Sequence, residues 1–119
     1  MAENNPNIEP YFEKLFETVS NNDRELFREL FLSLHERDQQ ELFHLLYPEK
    51  KRKIADFLSP EEFAEIFEWM ELDNQEDAVT YLPEDYIVTV FNYLPTDTLA
   101  TFVFSSQNTA VDELVNKMD

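Results

Sequence analysis

The side chains that can do chemistry in this sequence are carboxylates, and they stand in a fixed rhythm. Glu49, Glu61, Asp73, Asp85 and Asp97 follow one another at intervals of twelve residues, with Arg37 one interval earlier. Acids also occur in adjacent pairs, as at Glu61-Glu62, Glu76-Asp77 and Glu84-Asp85. Carboxylate oxygens are hard ligands, so they favour Mg2+ or Ca2+ over Zn2+. The Asp-rich spacing and central glycine of an EF-hand are missing. Mg2+ keeps much of its water and takes only one or two carboxylates per site, so such a ladder suits loose binding of that ion, above all against a second acidic surface. The same acids have a plainer use, since a negative charge in the first turn of a helix faces the positive end of its dipole.

Other chemistry is poorly provided for. The absence of cysteine excludes disulfides and thiolate metal centres and fits a reducing compartment. The absence of glycine removes phosphate-cradling loops and glycine-dependent dinucleotide turns, along with the commonest left-handed helix stop. No serine stands in a nucleophile elbow. His35 and His44 fall in polar and turn columns and are expected on the surface. Paired carboxylates suit helix starts as well as acid–base work, so no enzyme is expected.

The elements that position the acids repeat with them. Leu34, Leu46, Leu58, Met70, Leu82 and Leu94 stand twelve apart. Four places earlier come Leu30, Leu42, Ile54, Ile66, Ala78 and Val90, and three earlier Phe31, Phe43, Ala55, Phe67, Val79 and Phe91. One place earlier come Leu45, Phe57, Trp69, Tyr81 and Tyr93. These offsets mark one stripe of an α-helix. A short helix and its turn therefore recur, and the expected fold is all-α, a solenoid of short helices with a repeat of about 12 residues. Helices of about eight residues do not persist alone in water, so stacking must hold them. The aromatic column Phe57, Trp69, Tyr81 and Tyr93 is expected to supply buried contacts between them.

Boundaries follow from local signals. Met1–Asn7 is expected to be a disordered N-terminus, with the helical-repeat domain spanning residues 8–119. Two longer helices are expected first, one from Ile8 to about Ser20 and one capped by Asp23 with a face running to Leu34. Ser59-Pro60-Glu61-Glu62 reads as a capping box with proline at the first helical position. Asp73-Asn74-Gln75-Glu76 reads as a second box. Pro48, Pro83 and Pro95 end one helix and begin the next. Ser105–Thr109 reads as a loop, before a last helical face of Val111, Leu114, Val115 and Met118. That half-covered final face is expected of a fragment of a longer chain.

The formal charge of −17 is unevenly spread. Residues 1–53 hold 11 acids and 8 bases, whereas residues 54–119 hold 15 acids and Lys117 alone. Phosphate backbones are repelled by such a surface, so nucleic acid is not an expected partner. A dense field of carboxylates suits cations or a basic protein surface. Lys50-Lys51-Arg52-Lys53 holds four of the nine bases and reads as a solvated helix face. No apolar run reaches the roughly 18 residues of a membrane span, and no signal peptide is evident, so this region is expected to be soluble and cytoplasmic.

The stretches Leu58-Ser59-Pro60-Glu61-Glu62-Phe63-Ala64-Glu65-Ile66-Phe67 and Tyr81-Leu82-Pro83-Glu84-Asp85-Tyr86, repeated in step, resemble the N-terminal cytosolic domain of MgtE-type magnesium transporters. Arg24-Glu25-Leu26-Phe27-Arg28-Glu29-Leu30-Phe31 does so too, and the likeness runs from Asp23 to Phe104. Related repeats occur in a flagellar motor switch protein, which keeps open a helical-repeat protein-interaction scaffold with no metal role. The resemblance implies a right-handed superhelix that precedes a CBS domain pair, a connecting helix and a membrane channel region. It implies a homodimer at the cytoplasmic face of the membrane, in which Mg2+ bridges acidic surfaces and so regulates the channel. It places a metal ligand at Asp85 with Glu84 beside it, and the acidic column adds Asp73 and Asp97 as weaker candidates. Another carboxylate position of the family falls on Lys53, where Asp56 is the nearest acid.

Overall fold

The structure, a computed structural model, describes residues 9–118; the expected tail Met1–Asn7 lies outside the described residues. Among the described residues there are nine helices and no strand. They are α1 (Glu9–Ser20), α2 (Arg24–Phe31), α3 (Glu36–Leu45), α4 (Pro48–Phe57), α5 (Pro60–Phe67), α6 (Leu72–Tyr81), α7 (Glu84–Tyr93), α8 (Thr96–Ser106) and α9 (Thr109–Val115).

Helix starts are mostly local chemistry. Ser59 Oγ accepts from Glu62 N at 3.1 Å while Glu62 Oε1 accepts from Ser59 N at 2.9 Å, completing the box before α5. Asp23 Oδ1 accepts from Leu26 N at the head of α2. Pro48 opens α4, and Pro83 and Pro95 are the N-cap residues of α7 and α8. The second box is not formed. Gln40, reaching over from α3, accepts the Glu71 N–H, so α6 begins at Leu72 and Asp73 lies inside its first turn rather than capping it.

Helix ends need more help, because a chain without glycine has few left-handed stops. Asn22 and Gln107 take that conformation, with φ of 58° and 51°. Elsewhere a side chain from another helix donates to the orphan carbonyls of the last turn. Lys53 Nζ reaches Val19 O of α1, and Gln39 Nε2 reaches Phe31 O of α2. Lys51 Nζ donates to His44 O and to Leu46 O at the end of α3. Arg24 and Arg28 donate to Asp56 O and Phe57 O of α4, and Gln75 Nε2 to Phe67 O of α5. Gln39 and Gln75 make the same bond, each to the residue eight places earlier.

These ties correct two expectations. Lys51 is only 5% exposed, its ammonium lying 5.3 Å from the Phe43 ring centroid, so the basic run is not a uniformly solvated face. Burial lowers the Lys51 pKa, partly opposed by Asp77. The second helix is not one of the longer ones either. It ends at Phe31, where Gln39 draws α3 back onto its last carbonyl and Leu34 falls in the turn. At the other end, α8 runs through Ser105 and Ser106, leaving Gln107 and Asn108 as the turn before α9.

Each helix from α2 onward packs against the helix two places later, giving one row of α2, α4, α6 and α8 and another of α3, α5, α7 and α9. The helix α1 covers α2 and α4. The result is an elongated helical superhelix of 41 × 28 × 22 Å. Leu46, Leu58, Met70, Leu82 and Leu94 are all buried, as are Leu42, Ile54, Ile66, Ala78 and Val90. Phe67, Phe91 and Phe102 form an aromatic knot, with Phe67 and Phe102 edge-to-face at 5.1 Å.

Two rows make two environments, and the twelve-residue columns split accordingly. Three places before the key position, Phe43, Phe67 and Phe91 of the α3 row are buried, while in the α4 row Ala55 and Val79 are half-buried and only Phe31, at the end of α2, is buried. One place before it the pattern reverses. Phe57 of the α4 row is 3% exposed, whereas Trp69, just past α5, is 62% exposed and Tyr93 of α7 is 53% exposed. Trp69 and Tyr93 are therefore surface residues, contrary to the expected buried aromatic column. A helix that meets its neighbours from the opposite side turns a different edge of the same stripe inward.

Candidate functional site

The acidic column occupies one place in the helices. Glu49, Glu61, Asp73, Asp85 and Asp97 are each the second residue of their helix, from α4 to α8, and all are exposed. A carboxylate there faces the helix N-terminus and stabilises it by about 0.3–1 kcal/mol. Asp73 Oδ1 also accepts from Asn74 N at 2.8 Å, and Asp97 Oδ1 from Thr98 N at 2.9 Å.

Because successive helices alternate between rows, so do the acids. Asp73 and Asp97 start helices of the α4 row, whereas Glu84 and Asp85 start α7 in the other. The four candidate ligands thus divide into two pairs. Among the described residues no group of three or more His, Asp or Glu side chains is close enough to hold a metal ion. What the chain offers a divalent cation is oxygen ligands in ones and twos, the number that a largely hydrated ion such as Mg2+ takes from a protein.

The Glu84–Asp85 pair has a companion that the linear sequence does not place. The chain turns at Gln107 and folds α9 back beside α7, bringing Lys117 onto the Glu84 carboxylate. Glu84, Glu113 and Lys117 line a cleft of about 430 Å³. The hydrogen bond to Glu84 raises the Lys117 pKa, helped by the charges of Glu113 and Asp85. Glu84 is therefore engaged by a base, while no ion pair of Asp85 is found among the described residues. Asp97 lies in a separate cleft of about 400 Å³ with Glu68 and Gln75. Lys53, at the position where the resemblance expects an acid, is occupied with Val19 O.

The histidines stay on the surface in structural roles. His35 Nδ1 accepts from Arg37 N at the head of α3, and the His44 ring bonds Asn74 Oδ1 at 2.9 Å. The strongest ionic contact is elsewhere. Arg28 grips Glu62 with two bonds of 2.7 Å, which together with bonds to Ser59 hold the Glu62 pKa at about 2 against the opposing effect of burial. The Tyr86 hydroxyl donates to Leu58 O, and burial raises its pKa.

The architecture is thus a superhelix of short helices with an exposed acid as the second residue of each helix from α4 to α8. The family profile described as "MgtE intracellular N domain" matches residues 34–119, and the chain belongs to that family. A crystal structure of "the soluble part of a magnesium transporter" is similar to it at 27% identity and a TM-score of 0.55. That similarity covers 94% of this chain and 50% of the other, so the chain spans about half the length of the structure it resembles. A search of curated proteins found no significant match. No helix among the described residues is long and apolar enough to cross a membrane.

Proposed function

We propose that this chain is a Mg2+-responsive regulatory region of a magnesium transporter or channel, acting at the cytoplasmic face of the membrane. The observation that carries the reading is the family match over residues 34–119, which contains the whole of the acidic second half. The transport path itself belongs to other parts of such a protein. The partners are a CBS domain pair and the connecting helix of the same transporter, within a homodimer.

Like charges held close repel unless a cation lies between them. With 15 acids after Lys53 and the single base Lys117, this face docks on another acidic surface only when divalent ions bridge the two. Bound Mg2+ supplies the bridging charge that favours a compact, closed assembly. Asp85 is the leading ligand, being exposed and outside any ion pair among the described residues. Glu84 contributes once released from Lys117, and Asp73 and Asp97 belong to a second contact on the other row.

The test is thermal melting of the chain in MgCl2 and in NaCl at equal ionic strength, followed by protease protection of the whole cytosolic region against Mg2+ concentration. Mg2+ is expected to raise the melting temperature above the NaCl value, and Asp85→Asn to shift the protection curve to higher Mg2+. Identical melts together with superimposable protection curves would leave only charge screening and favour a metal-indifferent scaffold.

A further inference from the structure

The expectation that failed most clearly, a buried Trp69, leaves a large indole in an unexplained place. Trp69 is 62% exposed in the turn after α5, and Leu32, in the turn after α2, is 42% exposed. The two line one groove of about 420 Å³ that runs between the α2–α3 turn and α5. Its rim carries Glu36, Glu62, Glu65 and Glu68. Arg28 already neutralises Glu62 through two 2.7 Å bonds. Glu65 and Glu68 are exposed, and no ion pair of either is found among the described residues.

We infer that this groove is a docking surface for an arginine-bearing basic segment of a protein partner. Charge complementarity selects the occupant, because an exposed indole beside several carboxylates in a chain of charge −17 repels acidic and phosphate-bearing ligands. Arginine fits better than lysine, since its planar guanidinium stacks on an indole face and grips a carboxylate with two parallel bonds. The Arg28–Glu62 pair already shows that bidentate geometry in the groove wall. Leu32 and the edge of Trp69 then cover the aliphatic stem of the incoming side chain. The groove shares no residue with the cleft at Glu84, although Glu68 also borders the Asp97 cleft, and the inference does not depend on any role for Mg2+.

Trp69 is the single tryptophan of the chain, so its fluorescence reports on the groove directly. The experiment titrates a nona-arginine peptide into the 119-residue chain at about 0.15 M NaCl, where charges beyond about 8 Å are largely screened. Binding is expected to change Trp69 emission, with nona-lysine binding more weakly. By calorimetry, Glu65→Gln with Glu68→Gln is expected to raise the dissociation constant about tenfold, and Trp69→Ala about fivefold. The matched control Glu13→Gln with Glu17→Gln removes the same charge from the exposed face of α1 and is expected to change it less than twofold. All three variants alter exposed side chains, and circular dichroism checks their folding. Equal losses for the groove and control pairs, or binding without any change in Trp69 emission, would reduce the effect to general attraction and overturn the inference.

Discussion

The two ends of this superhelix use charge in opposite ways. Around α1–α5 four of the eight bases serve as ties: Arg24, Arg28, Lys51 and Lys53 all donate to carbonyls at helix ends. From α6 onward, among the described residues, no side chain donates to the last-turn carbonyls of α6, α7 or α8, and that region is held by the Phe67, Phe91 and Phe102 knot and by α9. The first region commits half of its bases to holding itself together, while the second leaves most of its acids exposed, Glu84 being paired with Lys117. The lopsided charge of the sequence therefore includes bases used inside the fold, and the run Lys50–Lys53 is split, with Lys51 and Lys53 tied to helix ends and Arg52 exposed.

The comparison can be broken most forcefully in the knot. Phe67→Ala, at a side chain with no exposure, is expected to cost about 3–5 kcal/mol in urea unfolding, enough to unfold much of the second region. A loss below about 1 kcal/mol would show that aromatic packing does not hold it. In the first region, Glu62→Gln removes half of the Arg28 pair and weakens the Ser59 box, an expected loss of about 2 kcal/mol. Its pH dependence has a definite sign. The folded pKa of Glu62 lies below its ordinary 4.5, so its contribution is complete above that value and is lost as pH falls towards about 2. Stability measured between those limits is expected to fall less steeply in Glu62→Gln than in the unaltered chain.

Smaller effects sharpen the division within the basic run. Lys51→Ala, which strips two carbonyls of their donor and bares Phe43, is expected to cost about 1–3 kcal/mol. Arg52→Ala, at an exposed neighbour, is expected to stay within about 0.5 kcal/mol. Equal effects would restore the reading of a solvated face. Smallest of all is a spectroscopic change, since Trp69 is expected to emit as a solvated indole in the native protein and to move little on unfolding.

Helix identity, the places where Ser59, Pro48, Pro83 and Pro95 begin helices, and the buried columns of Leu46 and Leu42 were all legible from the residues alone. Each depends on local dihedral preference, an adjacent cap or a 3.6-residue period, and these act over one or two turns. The acids were legible as a ladder for the same reason, each being the second residue of a helix. The tertiary structure decided the rest. Stacking in two rows gave the edges of the stripe different surroundings in alternate helices, so Phe57 is buried and Trp69 is not. It also divided the acids between rows, set Lys117 on Glu84 across 33 positions of sequence, and placed Lys53 on the end of α1, 34 positions away, while Lys51 ties the end of the preceding helix. A twelve-residue pattern cannot encode which side of a helix its neighbour will cover, because that is fixed only when the helix two places away arrives.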